Sequence, residues 1–86
     1  MNKSKFYAIY NRQCYVKGYG RKLYKKGIEL IDITDCNGVV IAEKTNIPLT
    51  KALEKCLEFA SGTKIVFDAV LTDNKIFYIS SVKEAD

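Results

Sequence analysis

Five short runs of β-branched and aromatic residues, each bounded by glycine or an Asn/Asp turn, leave this 86-residue chain one stretch in which to build a helix. The first run, FYAIYNRQCYVK, is expected as a strand from about Lys5 to Lys17, closed by Gly18 and Gly20. Its even positions Phe6, Ala8, Tyr10, Cys14 and Val16 are apolar and should face the core, while Tyr15 and Lys17 share the other face. Arg12 interrupts that alternation, so a bulge or a register change is expected near it. GIELIDIT (Gly27 to Thr34) and VVIAEKT (Val39 to Thr45) flank Asn37-Gly38, both tolerant of positive φ, and should form an antiparallel hairpin.

The helical stretch is LTKALEKCLEFASG, where Leu49, Ala52, Leu53, Cys56, Leu57 and Ala60 recur at three- and four-residue spacing. Thr50 is the expected N-cap and Gly62 the stop, with Lys51, Glu54, Lys55 and Glu58 on the wet face. TKIVFDAVL (Thr63 to Leu71) and KIFYISSV (Lys75 to Val82) follow as two strands joined by a tight turn at Asp73-Asn74, and the KEAD tail is expected to fray. Asp68 falls out of phase with its apolar neighbours and should face outward or pair with a lysine. A chain of this length supports one core, so residues 1–86 are expected as a single mainly β domain, ordered from about 5 to 82.

The order strand, strand, strand, helix, strand, strand resembles the OB-fold, a five-stranded, partly open Greek-key barrel with one helix. The segments that carry the resemblance are the glycine-broken end of the first strand (Gly18, Gly20), the IELIDITDCNGVVIAEK hairpin, and GTKIVFDAVL followed directly by KIFYISSV. The likeness extends from Lys5 to Val82 and is one of layout, without a diagnostic motif. Small OB proteins of this kind resemble those that phages and mobile elements encode as single-strand-binding or DNA-replication accessory proteins. A different small β-barrel, or an α+β sheet with the helix on one face, shares the same element order.

Charge is distributed very unevenly. Residues 1–27 hold eight Lys/Arg and no acid, whereas residues 28–86 hold six Lys/Arg against ten Asp/Glu, which together give the net charge of +4. The densest part is YVKGYGRKLYKKG, residues 15–27, with five cations, three tyrosines and three glycines. Cations neutralise phosphates and release counterions, and flat side chains accept unpaired bases. Arg12, Lys17, Arg21, Lys22, Lys25 and Lys26 are therefore the candidate phosphate contacts, and Tyr15, Tyr19 and Tyr24 the candidate stacking residues. In OB-folds the binding surface uses the second and third strands and the loop between the first two, where Gly18 to Lys26 would fall. A solvated basic rim that blunts an edge strand is the competing explanation of the same residues.

The remaining chemistry is sparse. The chain has no histidine, so the commonest general base and triad member is missing, and no enzymatic activity is expected. Glu29, Asp32 and Asp35 read as hydrated surface acids, because positions 29 and 32 fall on opposite faces of a strand. Cys14, Cys36 and Cys56 show no CxxC spacing and are odd in number, so they read as small core residues in a reduced, cytoplasmic setting, with no metal and no cofactor. MNKSKFYAIY lacks the uninterrupted apolar run of a signal peptide.

The expected function is sequence-tolerant binding of single-stranded nucleic acid, DNA ahead of RNA, with a replication enzyme as a possible protein partner and no membrane. A protein-interaction module, docking on a polymerase, primase or helicase or inhibiting a host factor, is the alternative. A purely structural, oligomer-forming barrel is the third.

Overall fold

The structure is a computed structural model and describes residues 2–17 and 24–85. Its strands are β1 (Ser4–Lys17), β2 (Tyr24–Asp35), β3 (Val40–Pro48), β4 (Thr63–Thr72) and β5 (Lys75–Glu84). They form one antiparallel sheet in the order β3-β2-β1-β4-β5. The expectation of a mainly β chain with five strands holds. The sheet is open: among the described residues β3 and β5 are its two edges, and no ladder joins them.

The alternation of β1 holds for three core residues and then reverses. Phe6, Ala8 and Tyr10 are buried, and Phe6 stacks on its cross-strand partner Phe67 with ring centroids 6.1 Å apart. Between the pairs Tyr10↔Leu30 and Arg12↔Glu29, β1 holds one residue that β2 does not match, Asn11. This is the bulge expected near Arg12, and it shifts the phase of everything after it. Cys14 and Val16, expected in the core, therefore pair with Gly27 and Lys25 on the outer face and are half-buried there. A second bulge lies in β2, where Asp32 takes a left-handed backbone (φ 51).

Turn chemistry explains the hairpins. Between β2 and β3 only Gly38 has positive φ (+83), and the Asp35 carboxylate accepts the N–H groups of Asn37 (2.8 Å) and Val39 (2.9 Å). Asp35 is thus a turn residue, and the loop is closed by Gly38 N–H donating to Asp35 C=O at 3.1 Å. Asp73 and Asn74 both take positive φ, as a two-residue hairpin turn requires. The tail does not fray where expected: β5 continues to Glu84, and Ala85 N–H donates to Lys64 C=O at 2.8 Å.

The expected helix is shorter and tighter than its pattern suggests, a 3₁₀ helix over Ala52–Glu58. In a 3₁₀ helix residues three apart eclipse one another, which places Leu53 and Cys56 together, both fully buried. Lys51, not Thr50, is the N-cap, and no side chain caps the first turn. At the other end Phe59 turns extended (φ −92, ψ 149) and packs against the core, which stops the helix before Gly62 and leaves Leu57 and Ala60 exposed. Gly62 (φ +93) instead serves the turn into β4, its N–H donating to Tyr10 C=O at 2.8 Å. No helix among the described residues is long and apolar enough to cross a membrane.

The core joins β1, β2, the 3₁₀ helix, β4 and Val82 of β5. Leu71, in phase with the buried Ile65, Phe67 and Ala69, is nevertheless exposed near the β4–β5 turn, while Val66 and Val70 are buried and Asp68 is half-buried opposite Lys5. The cysteines divide: Cys56 lies in the core, with its thiol pushed up to about 11 by burial, Cys14 is half-buried, and Cys36 is exposed in the β2–β3 turn. The reading of all three as core residues fails for Cys36, because the turn that Asp35 and Gly38 make carries it out to solvent.

Candidate functional site

β1 and β2 outlast their neighbours. The β1–β4 ladder ends at Tyr10↔Thr63, and β3 stops pairing with β2 at Gly27↔Pro48. Residues 12–17 of β1 and 24–26 of β2 therefore extend past β4 as a ribbon. Its register is Tyr15↔Lys26, Val16↔Lys25, Lys17↔Tyr24.

Residues directly opposite in an antiparallel pair share a face, and alternate residues along a strand do too. Tyr15, Lys17, Tyr24 and Lys26 consequently lie on one face, in a two-by-two array in which each tyrosine has a lysine across from it. Tyr15 and Tyr24 sit on the diagonal, where Cα atoms are roughly 7–8 Å apart. Both rings are 68% exposed. The face is the one that carries Ile28 and Leu30 into the core farther along β2, so the array continues the core-facing side of the β1–β2 pair past the end of the β1–β4 ladder.

The other candidates separate from this group. Lys25 lies on the opposite face, beside Val16. Arg12 is on that face too, where its Nη2 lies 3.3 Å from Glu29 Oε2. Tyr19, Arg21 and Lys22, with Gly18, Gly20 and Leu23, lie outside the described residues. The structure thus brings together four of the nine residues singled out from the sequence.

Glu29 departs from its expected role as a hydrated acid. Its side chain is 5% exposed, roofed by long polar side chains that themselves reach solvent. The bulge at Asn11 makes this arrangement: Asn11 Nδ2 donates to Oε1 at 2.6 Å, Arg12 Nη2 donates to Oε2 at 3.3 Å, and Lys44 Nζ stands 4.0 Å away. The Asn11 hydrogen bond, then Arg12 and Lys44, hold this carboxyl below the usual glutamate range against the opposing effect of burial. A depressed folded pKa contributes stability that is present above the unfolded value of about 4.3 and is lost as pH falls through the folded value. Thermal melts at neutral pH and near pH 3 are expected to differ less in Glu29→Gln than in the wild type. An equal difference in both proteins would show that this carboxylate does not contribute to acid sensitivity.

Sequence reasoning missed two exposed aromatics, Phe77 and Tyr78 on β5. The signal was the doublet itself, since adjacent residues of a regular strand cannot both face a core. Among the described residues no group of three or more His, Cys, Asp or Glu is placed to hold a metal ion.

A scan against protein-family models finds no match, and searches of curated proteins and of solved structures return no significant match either.

Proposed function

We propose that this chain binds single-stranded nucleic acid with little sequence preference, through the face of the β1–β2 ribbon that carries Tyr15, Lys17, Tyr24 and Lys26. The observation that supports it is the register, which puts two exposed tyrosines and two lysines on one surface with no acid among them. Bases stack on the rings while phosphates run past the ammonium groups. We read the sheet as an OB-type barrel opened along the β3–β5 seam, a reading supported by five antiparallel strands whose two edge strands, β3 and β5, line one groove. Arg21, Lys22 and Tyr19 belong to the same segment of sequence and extend the proposed contact. The 3₁₀ helix carries Glu54 and Glu58 beside Lys55, a poor surface to lay in a duplex groove.

A second reading, a docking module for a replication enzyme or a host factor, draws on the exposed aromatic surface of β5. One titration separates the two. Fluorescence anisotropy with labelled single-stranded DNA, single-stranded RNA and duplex is expected to show single-strand binding that weakens with salt. For about four contacted phosphates, the slope of log affinity against log salt is near ~−3. Absence of binding at low salt, or affinity indifferent to salt, overturns the nucleic-acid reading.

A further inference from the structure

β5 contains two left-handed residues that are not glycine, Tyr78 (φ 57) and Ser81 (φ 55), each at a register shift against β4. Between the pairs Val70↔Phe77 and Asp68↔Ser80, β4 has Ala69 alone while β5 has Tyr78 and Ile79. Bulges of this kind protect an edge strand from pairing, and here they break up the row of donors and acceptors that an added strand would need. Edge protection explains the bulges but not the residue chosen. A left-handed backbone is favourable for Asn or Asp, as at Asp73 and Asn74, and is an outlier for a bulky aromatic.

The result of placing Tyr78 there is a ring pair. Neighbouring side chains of a regular strand point to opposite faces. At this bulge the rings of Phe77 and Tyr78 come together, centroids 6.4 Å apart and planes at 49°, with the two residues 46% and 70% exposed. Both border a groove of about 460 Å³ between the end of β3, the 3₁₀ helix and β5, floored by Ile47, Leu53, Ile76 and Ile79. Among the described residues Lys51 is the one charged side chain that lines it, and no acid does.

The groove adjoins the array. Ile47 pairs with Ile28, and Lys26 is two residues before Ile28 on the same face, so Lys26 and Ile47 are diagonal neighbours roughly 7–8 Å apart. Surface continuity, flat rings and a lone cation at the lip match an unpaired base with its phosphate. They match a β-strand poorly, because the edge is broken, and an acidic peptide poorly, because a single lysine is little counter-charge.

We infer that this groove is a second base-binding subsite: a single strand that crosses Tyr15 and Tyr24 passes Lys26 and places a further base against Phe77 and Tyr78, its phosphate toward Lys51. The inference rests on the proposed single-strand binding and adds to it a footprint and a direction of travel across the molecule.

The test measures affinity for oligothymidylates of about four and about ten nucleotides, within the range of site sizes that single OB domains cover. The variants are Phe77→Ala, Tyr78→Asn, which suits the left-handed backbone, and Lys51→Glu, an exposed change that leaves the core intact. Each of the two ring variants is expected to weaken the longer oligomer roughly five- to 150-fold, the value of one stacked base, and to leave the shorter one nearly unchanged. Lys51→Glu should weaken only the longer one, which keeps the outcome readable if a β5 variant folds poorly. Unchanged affinity for the longer oligomer overturns the subsite while the ribbon remains the binding site. Equal losses for both lengths with an unchanged melting temperature overturn it as a separate subsite. If light scattering shows the wild type self-associating and the ring variants lose that association while keeping their affinity for both oligomers, the subsite is overturned and the groove is a contact between copies. Failure of the wild type to bind either oligomer overturns the functional reading itself, and this inference with it.

Discussion

Replacing Tyr15 and Tyr24 together by alanine is expected to weaken single-strand binding by about 2 kcal/mol or more, roughly 30-fold, without lowering the melting temperature. The two halves of that expectation come from the same geometry. Each ring is 68% exposed on a ribbon beyond the core, so truncation removes little buried area. Stacking on an aromatic side chain is worth about 1–3 kcal/mol per base, and the register places both rings on one face within reach of successive bases. Phenylalanine at both positions should preserve most of the affinity, since the π-face and not the hydroxyl carries the contact. Isothermal titration against a labelled single strand, with parallel thermal melts, reads both quantities. A double alanine variant that binds within twofold of the wild type would show that the rings are a solvated rim.

Gly27→Ala is expected to be strongly damaging, because among the described glycines this is the one where an added Cβ meets backbone and side chain at once. A Cβ at this position would stand 2.6 Å from the backbone oxygen of Ile47 and 2.9 Å from Val16 Cγ1. Val16 is β-branched and has little rotamer freedom to retreat, and the Ile47 carbonyl belongs to the β2–β3 ladder. The strands must part, at a cost of about 1–3 kcal/mol, which for a domain of this size lowers the melting temperature by roughly 5–20 °C. Val16→Ala should relieve only the side-chain share, leaving the double variant less stable than the Val16→Ala single. Gly38 provides the contrast: its surroundings are open and only its φ of +83 constrains it, so Gly38→Asn, which tolerates that backbone, should be mild. Equal melting temperatures for Gly27→Ala and the wild type would mean that β2 and β3 can separate at no expense, contrary to the close approach seen.

Much of this molecule can be read from its residues, and the misreadings have one source. The five strands, the Asn37-Gly38 and Asp73-Asn74 turns and the disturbance at Arg12 follow from local chemistry, and all are present. The grouping of Tyr15 with Lys17 also follows from alternation. What alternation cannot supply is phase across a bulge. One unmatched residue, Asn11, moves Cys14 and Val16 off the core face, turns Arg12 toward Glu29, and covers a carboxylate that otherwise reads as hydrated. The helix failed for a related reason: spacing of three and four residues fits an α-helix, but within Ala52–Glu58 only Leu53 and Cys56 are buried, while Leu49 meets the core from before the helix and Phe59 leaves it to fill the space beside them. The Phe77-Tyr78 doublet tells that one ring must leave the core, but that both are exposed side by side depends on the bulge at Tyr78, which alternation alone does not give.

The neighbours Lys25 and Lys26 offer the most direct test of the claim that one face of the ribbon is the working surface. They are adjacent in sequence, both exposed, and on opposite faces. Charge reversal at either changes the net charge equally, so any purely global attraction falls by the same amount in Lys25→Glu and Lys26→Glu. The single-strand titration is best done at physiological salt, where screening over about 8 Å confines the effect to local contacts. A loss several-fold larger for Lys26→Glu than for Lys25→Glu is the predicted result. Equal losses would contradict the account and return the basic segment to a diffuse, solvated charge.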